Sequence, residues 1–174
     1  MGTCQAEYVI FETERLQLVP LGPDRAEQLA EVYADPGVSR YVGGDSLTVA
    51  STREQAAWFE QVWHERGYGQ SAVIERATGH LIGRIGLSFW PEWDEVELGY
   101  VLCRAAQGRG LALEGCQPWI EWASAHLIDR HLIAVIHPDN VASTRLAQRV
   151  GFNFDRREHA RGIDVVVYRL ELPA

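Results

Sequence analysis

One segment of the sequence has residue types and spacing that could bind a ligand: Gln107-Gly108-Arg109-Gly110-Leu111-Ala112. It stands between a predicted strand that ends at Leu102 and a predicted helix over residues 111–127. Backbone N–H groups at the start of a helix lack intrahelical partners, and the helix dipole is positive there. Glycine also lets a phosphate approach the backbone closely. The segment therefore predicts an anion site, with phosphate as the first candidate.

Two common phosphate-binding motifs do not fit this loop. A dinucleotide-binding G-x-G-x-x-G motif that begins at Gly108 would need glycine where the chain has Leu113. The sequence also has no G-x-x-x-x-G-K-[ST] motif of a nucleotide P-loop.

The cysteines Cys4, Cys103 and Cys116 lack metal-ligand spacing, so we predict reduced thiols, no disulfide and no metal site.

The loop resembles the Q/R-x-x-G-x-G/A pyrophosphate signature of the GNAT superfamily, the acyl-CoA-dependent N-acetyltransferases, through Gln107, Gly110 and Ala112. Further segments follow in the family's order over residues 13–170. They look like the branch that contains the ribosomal-protein N-terminal acetyltransferases. These segments are Thr13-Glu14-Arg15-Leu16, Glu97-Leu98-Gly99-Tyr100, His137-Pro138-Asp139-Asn140-Val141-Ala142-Ser143 and Gly151-Phe152.

This resemblance implies a mixed α/β (α+β) fold, with a mostly antiparallel central sheet and helices on both faces. The strand over 97–102 and the strand over 132–136 would splay apart and admit acetyl-CoA as the cofactor. Amides of residues 108–113 would hold the pyrophosphate, and Asn140 and the backbone of 101–103 would bind the pantetheine arm. The residues implied at the cofactor are Val101, Leu102, Cys103, Arg104, Gln107, Gly108, Arg109, Gly110, Leu111, Ala112, Leu113, Asn140 and Ser143.

Acetyl transfer to an amine needs a neutral nucleophile, stabilisation of an oxyanion and a proton for the departing thiolate. A lysine-like amine has a pKa of about 10.4, so its free base at neutral pH costs about 4 kcal/mol. The resemblance implies that Glu97 deprotonates the amine through water. The alternative is a solvated or ion-paired strand residue. A backbone N–H near Tyr100 or Val101 would stabilise the oxyanion.

The proton donor for the thiolate has one candidate side chain in the sequence. Many members of the family carry a tyrosine four residues before the Gly-Phe pair, and this chain has Ala147 there. Ser143 is then the candidate. The resemblance implies this role, because some enzymes of this branch use the serine of Asn-x-x-Ser, near the sulfur of coenzyme A, as the proton donor. Helix capping, or a hydrogen bond to coenzyme A without proton transfer, would explain Ser143 equally well.

An acceptor pocket would need walls, and five aromatic residues are candidates: Trp58, Trp63, Trp90, Trp93 and Tyr100. The acidic residues Glu92, Asp94 and Glu95 are close to two of the tryptophans in sequence and would attract a cation. The rings would add cation–π attraction. Packing in the core is the alternative for each tryptophan.

Hydrophobic periodicity and turn residues predict the strands that must position these side chains. Helices are predicted from capping residues, prolines and glycines. The predicted strands cover 13–19, 70–77, 80–90, 96–102, 132–136 and 163–170, with turns at Thr78-Gly79 and Arg161-Gly162. Four helices are predicted. The first runs from Pro23 to Asp35, the second from a capping box of Ser51 and Glu54 to about Gly67, the third over 111–127, and the fourth through Leu146 to Gly151. Residues 38–50 are predicted to form a loop. Pro118 predicts a kink or a displaced start in the third helix.

The chain has 174 residues, of which 47% are hydrophobic and 23% charged, which predicts one domain over 1–174 with an ordinary core. We expect a cytoplasmic protein without a membrane anchor, because neither a signal peptide nor an apolar run of about 20 residues is present. The net charge of −8 disfavours a nucleic-acid partner and weakly favours a cationic one.

Together these features predict an acetyl-CoA-dependent N-acetyltransferase that works by direct transfer in a ternary complex. Protein N-termini and small cationic amines, such as aminoglycosides and polyamines, remain open as acceptors. One alternative is a non-catalytic CoA-binding sensor or partner module, which Ala147 favours. Another is an acyltransferase for a different donor such as succinyl-CoA. A monomer and a homodimer are both compatible with the sequence.

Overall fold

The computed structural model describes residues 8–43 and 47–173, and within them eight strands and five helices are found. The strands are β1 (Phe11–Glu12), β2 (Leu16–Pro20), β3 (Gln70–Glu75), β4 (Leu81–Trp90), β5 (Glu95–Leu102), β6 (His131–Ile136), β7 (Asn153–Ala160) and β8 (Ile163–Glu171). The helices are α1 (Ala26–Tyr33), α2 (Pro36–Ser39), α3 (Val49–Arg66), α4 (Leu111–His126) and α5 (Val141–Val150). None of these helices is long and apolar enough to cross a membrane.

All strands join one sheet in the order β1-β2-β3-β4-β5-β6-β8-β7. Every neighbouring pair is antiparallel except β5 and β6, which are parallel and share a single paired position, Glu97 with Ile133. Beyond Glu97 the two strands separate. The predicted splayed pair in a mostly antiparallel sheet is therefore confirmed.

Two apolar clusters cover the two faces of the sheet, because neighbouring residues of a strand point to opposite faces. Val73 and Leu102 belong to the larger cluster, which includes the buried side of α4 and Ala147 of α5. Their neighbours Ala72 and Val101 belong to the second cluster, which α1 and α2 complete. The sheet therefore has helices on both faces, as the sequence predicts.

The helix α3 begins earlier than the sequence predicts. Its capping box consists of Thr48 and Ser51, each of which accepts the other's backbone N–H through its hydroxyl, and Glu54 has no part in it. The short helix α2 occupies the start of the predicted loop 38–50. At the other end, Gly67 closes α3 with a φ of +71°, as predicted.

Most of the other predicted boundaries are close to the observed ones, including those of α1 and of both hairpin turns, whereas the strands β1 and β7 are not among the predicted strands. Arg161 and Gly162 have φ values of +51° and +82°, which a tight turn between β7 and β8 requires. The strand β2 is shorter than predicted and begins at Leu16. Pro118 lies inside α4, and the helix begins at Leu111. The expected displaced start is therefore wrong, and a kink at Pro118 stays a prediction.

Candidate active site

Two cavities meet where β5 separates from β6. One, of about 530 Å³, lies along the loop before α4 and the start of α5. The other, of about 560 Å³, lies between β4, β5 and the hairpin of β7 and β8. Tyr41, Val42, Tyr100, Val101, Asn140 and Ser143 line both. We call the first the loop cavity and the second the acceptor cavity.

The loop before α4 presents a row of backbone donors to the loop cavity. Gly108 and Gly110 have φ values of +72° and +79°, and the first helical bond of α4 runs from the Glu114 N–H to the Gly110 carbonyl at 3.1 Å. Among the described residues, no group accepts the N–H groups of residues 108–113. A Cβ at Gly108 would meet no heavy atom within 4 Å. The loop therefore fits a pyrophosphate of coenzyme A.

Gln107 holds this loop to the end of β5. Its Nε2 donates to the Leu102 carbonyl at 3.0 Å. The side chain of Gln107, the first residue of the sequence signature, therefore fixes the loop to β5. The glycines and backbone N–H groups that follow it are available to a phosphate.

Arg15 and Glu114 form a second clamp on the loop, which the sequence reasoning missed. Glu114 accepts from the Thr13 hydroxyl at 2.5 Å and from the Arg15 backbone and Nε at 2.8 and 2.7 Å. Arg15 Nη1 donates to the Arg109 carbonyl at 2.9 Å. Burial would raise the pKa of Glu114, but the hydrogen bonds from Thr13 and Arg15 hold this pKa below its ordinary value. The Thr13-Glu14-Arg15-Leu16 segment thus holds the loop before α4 in place.

We expect Arg15→Met to weaken acetyl-CoA binding about tenfold, because it removes the charged support of the Arg109 carbonyl. Titration calorimetry with acetyl-CoA measures the effect. Arg53→Met is the matched control, since Arg53 pairs with Glu27 on the exposed surface at 3.2 Å and such pairs contribute little. An unchanged dissociation constant in Arg15→Met would show that the clamp does not position the loop.

The backbone of β5 offers fewer groups to the gap than the sequence predicts. Cys103 N–H donates to the Ile82 carbonyl at 2.8 Å, and the register of β4 and β5 has no shift. Because bonding alternates along an antiparallel strand, Val101 and Cys103 pair with β4, and the N–H groups of Tyr100 and Leu102 face the gap. The expected backbone contacts of Val101 and Cys103 with the pantetheine arm are wrong for this reason.

Arg104 and Arg109, which the resemblance implies at the cofactor, form ion pairs with carboxylates of the chain. Arg104 pairs with Asp35 at 3.7 Å and Arg109 with Glu75 at 2.5 Å, and neither lines the loop cavity. Two arginines of α5, Arg145 and Arg149, line it instead. Their spacing of four residues, one turn after Asn140, is a signal that the sequence reasoning missed.

Hydroxyl groups of two elements meet at the junction of the cavities. Tyr100 donates to the Ser143 carbonyl at 2.9 Å, and the Ser143 hydroxyl donates to Tyr100 Oη at 3.2 Å. Asn140 Oδ1 accepts the Ser143 N–H at 3.2 Å and caps α5, which leaves its amide N–H groups without a partner in the described chain. Burial raises the pKa of Tyr100 far above its ordinary value, so its phenol stays protonated at neutral pH. Ala147 of α5, at the position where many family members carry the tyrosine, is fully buried and cannot donate a proton.

Glu97 lies half-buried in the wall of the acceptor cavity. Its Oε2 accepts the indole N–H of Trp90 at 2.7 Å. Burial raises the pKa of Glu97 above the ordinary carboxyl value of 4.5, while the Trp90 hydrogen bond and the charges of Arg84 and Arg161 oppose the rise. A carboxylate with a raised pKa is a better proton acceptor at neutral pH.

The comparison with known families agrees with this geometry. Residues 15–153 match the acetyltransferase (GNAT) domain. The protein belongs to the GNAT acetyltransferase family. It is therefore an acyltransferase that uses acetyl-CoA.

Individual relatives cover nearly the whole chain. An acetyltransferase structure from Agrobacterium tumefaciens is 30% identical, covers 98% of this chain and 99% of its own, and has a TM-score of 0.82. The uncharacterized N-acetyltransferase p20 of Bacillus licheniformis is 26% identical over 92% of this chain and 93% of its own. The fold is also that of a ribosomal L7/L12 α-N-protein acetyltransferase solved with coenzyme A, which is 19% identical, covers 94% of this chain and 98% of its own, and has a TM-score of 0.78.

Two of the four tryptophans that were predicted to form the acceptor pocket line the acceptor cavity of this GNAT enzyme, and two do not. Trp58 and Trp90 line the acceptor cavity. Trp93 stacks on Trp90 with ring centroids 4.8 Å apart and does not line the cavity. Trp63 is 1% exposed, donates to the Gln70 carbonyl at 2.7 Å and belongs to the larger core. The prediction that Trp63 walls the pocket is wrong, because α4 packs over it.

The prediction that Glu92, Asp94 and Glu95 attract a cation to the pocket is also wrong. Glu95 is buried and pairs with Arg156 at 2.5 Å and with His131 at 3.0 Å, so its charge is neutralised. Glu92 and Asp94 do not line the acceptor cavity. The charged groups that do line it, among the described residues, are Glu97 and three arginines: Arg40, Arg84 and Arg161.

The described part of the chain offers neither a metal centre nor a reactive thiol at the site. No group of three or more His, Cys, Asp or Glu side chains in residues 8–43 and 47–173 could hold a metal ion. Burial raises the pKa of Cys116 to about 12, so its thiol is inert at neutral pH. Cys103 is unpaired and lines neither cavity. Cys4 lies outside the described residues.

Proposed function

We propose that this enzyme transfers the acetyl group of acetyl-CoA to a primary amine held in the acceptor cavity, by direct transfer in a ternary complex. The observation that carries the proposal is the position of Glu97. Its carboxylate lines the acceptor cavity, and the Tyr100–Ser143 hydroxyl pair lies at the junction with the loop cavity. The cavity that contains Glu97 and the cavity along the loop before α4 therefore share the lining residues Tyr100 and Ser143.

When bound, acetyl-CoA supplies an acetyl carbon that forms an amide with the amine nitrogen while the sulfur leaves as a thiol. The amides of residues 108–113, supported by Gln107, would hold its pyrophosphate. Asn140 would donate its free amide N–H groups to the pantetheine arm. Arg145 and Arg149 line the same cavity and would bind phosphate charge.

Glu97 is proposed to accept the proton of the ammonium through a water molecule. Its raised pKa brings the carboxylate closer to the amine in proton affinity, and the Trp90 hydrogen bond fixes Oε2. A backbone hydrogen bond from Val135 also reaches the carboxylate, and the water would approach Glu97 from the acceptor cavity that it lines.

The Tyr100–Ser143 pair is proposed to hold the proton for the departing thiolate. The raised pKa of Tyr100 keeps a proton on its Oη, and the Ser143 hydroxyl donates to that oxygen at 3.2 Å. Asn140 Oδ1 caps α5, and the Ser143 hydroxyl is directed to Tyr100, so the alternative for Ser143 is a hydrogen bond to coenzyme A without proton transfer. The Tyr100 N–H, which faces the gap, would stabilise the oxyanion.

Among the described residues, no thiol lies at the junction of the cavities, which supports direct transfer. Neither Cys103 nor Cys116 lines either cavity within the described residues. A covalent acetyl-enzyme on cysteine therefore has no candidate there. Initial rates with both substrates varied should give intersecting lines.

The acceptor is proposed to be a protein N-terminus or a small amine. The neighbour named as a ribosomal L7/L12 α-N-protein acetyltransferase supports the first class. Thiol release from acetyl-CoA, with and without a panel of peptides and small amines, tests the proposal. We expect release to depend on the amine and the product to carry one acetyl group. Equal release with and without every amine would favour a CoA-binding sensor.

A further inference from the structure

The acceptor cavity has a local charge opposite to that of the whole chain. The net charge is −8, yet the charged side chains that line this cavity in the described residues are Glu97 and three arginines. A cavity with an excess of cationic groups attracts anions and repels cations, because field lines concentrate in a cleft with low-dielectric walls.

Arg84 is the most strongly positioned of these arginines. It projects from β4 and is half-buried, its Nε donates to the Tyr33 hydroxyl at 2.6 Å, and its Nη1 donates to Gln70 Oε1 at 2.9 Å. Tyr33 in turn donates to Gln55 at 2.9 Å, and the guanidinium lies 5.3 Å from the Phe59 ring centre. All of these neighbours are neutral.

No carboxylate of the described chain lies within ion-pair distance of Arg84. Glu97 acts on Arg84 only as a nearby charge and not through a direct ion pair, so the remaining N–H groups of the half-buried guanidinium are available to an anionic ligand. Its guanidinium is also already held in place, so little side-chain entropy would be lost when an anion binds. Arg84 therefore has the properties of a preorganised carboxylate site.

Glu97 and Arg84 are close enough to bind one small molecule. A Cβ at Gly99 would stand 3.8 Å from Glu97 Oε1 and also 3.8 Å from Arg84 Nη1. Gly99 lines the same cavity, so its missing side chain leaves room between the carboxylate and the guanidinium. An amine near Glu97 would have its own neighbouring carboxylate near Arg84.

Two further arginines lie at the exposed edge of the cavity. Arg161, at the turn between β7 and β8, stacks over the Trp90 ring with its Cζ 4.2 Å from the centroid. Arg40 stacks over Tyr41 at 5.0 Å. Neither arginine forms an ion pair with a carboxylate in the part of the chain that the structure describes. Both would attract an anionic acceptor and repel polycationic amines.

We propose that the acceptor is a small primary amine that carries a carboxylate, such as an amino acid, with the carboxylate bound by Arg84. The inference rests on the proposed N-acetyltransferase function. It separates this enzyme from acetyltransferases of polyamines and aminoglycosides, whose several positive charges would meet the arginines.

Matched acceptors test this inference directly. Leucine, leucinamide and isoamylamine share one side chain and differ in the carboxylate, and putrescine adds a second positive charge. We expect kcat/KM for leucine to exceed that of its amide by about tenfold or more, since hydrogen bonds to charged groups have this magnitude. Equal or faster turnover of leucinamide, of a leucyl peptide amide or of putrescine would overturn the inference.

Arg84 variants assign the preference to this residue. Arg84→Gln should reduce the ratio of leucine to leucinamide kcat/KM to about one, mainly through a higher KM for leucine, while the acetyl-CoA dissociation constant stays unchanged. Arg53→Gln, at an exposed arginine that does not line the cavity, should keep the wild-type ratio. An unaltered ratio in Arg84→Gln would overturn the assignment. Arg161→Gln, at an exposed turn, gives a smaller decrease and does not depend on the fold tolerating a change at Arg84.

The two levels of the hypothesis fail differently. If no amine of any class releases thiol while acetyl-CoA binds, the proposed N-acetyltransferase function is wrong. If amines release thiol without preference for a carboxylate, only the inference about the acceptor is wrong.

Discussion

Glu97→Gln should lower kcat about 10²- to 10³-fold at neutral pH, because it removes the group that accepts the proton of the ammonium. Glutamine preserves the size of the side chain and its amide oxygen can still accept the Trp90 N–H. The acetyl-CoA dissociation constant should therefore change less than about twofold. Stopped thiol-release assays and calorimetry measure the two quantities on the same preparation. Turnover equal to that of the wild type would remove Glu97 from the mechanism.

The pH profile gives an independent test of the same residue. Burial raises the pKa of Glu97 above 4.5, and only the ionised form accepts a proton, so kcat/KM should fall as pH decreases through this raised pKa. Trp90→Phe removes a hydrogen bond that lowers the pKa, so the acid limb should move to higher pH. The Glu97→Gln variant should lack this limb. An acid limb that persists unchanged in Glu97→Gln would belong to another group.

Gly110→Ala should weaken acetyl-CoA binding about tenfold or more. Gly110 has a φ of +79°, a region that residues with a Cβ enter at a cost of about 1–2 kcal/mol. Relaxation to a negative φ would turn the N–H groups at the start of α4 away from the loop cavity. Loss of a single charge-assisted hydrogen bond to phosphate has at least this effect on the dissociation constant.

Gly67→Ala is the matched control for backbone strain. Gly67 has a φ of +71° at the end of α3, no atom lies within 4 Å of its Cβ position, and it lines neither cavity. Both variants should lose about 1 kcal/mol of unfolding free energy, and only Gly110→Ala should bind acetyl-CoA less tightly. Equal dissociation constants in the two variants would contradict the role of the loop.

Local signals account for the parts of the fold that could be predicted. The hairpin turns at Thr78-Gly79 and Arg161-Gly162, the end of α3 at Gly67 and the phosphate loop all depend on residues close in sequence. Glycine at a positive φ and alternation of apolar residues are properties of a short segment. The order of elements therefore followed from the sequence, together with the resemblance that implied the splayed strands.

Long-range contacts explain what the sequence did not reveal. Glu95 is neutralised by Arg156, which is 61 positions later, and Arg109 is directed to Glu75, which is 34 positions earlier. Trp63 is buried because α4 brings Trp119 to within 5.6 Å of its ring centre. The charge of the acceptor cavity depends on such pairings, since they decide which charged groups remain free.

The unfolding midpoint with and without saturating acetyl-CoA tests most directly whether the cleft binds this cofactor. A ligand at about 100 times its dissociation constant adds about 2.7 kcal/mol to the unfolding free energy. For a domain of this size, we expect the midpoint to rise by roughly 5–10 °C. An unchanged midpoint at millimolar acetyl-CoA would contradict the assignment of residues 108–113 as a pyrophosphate site and, with it, the proposed reaction.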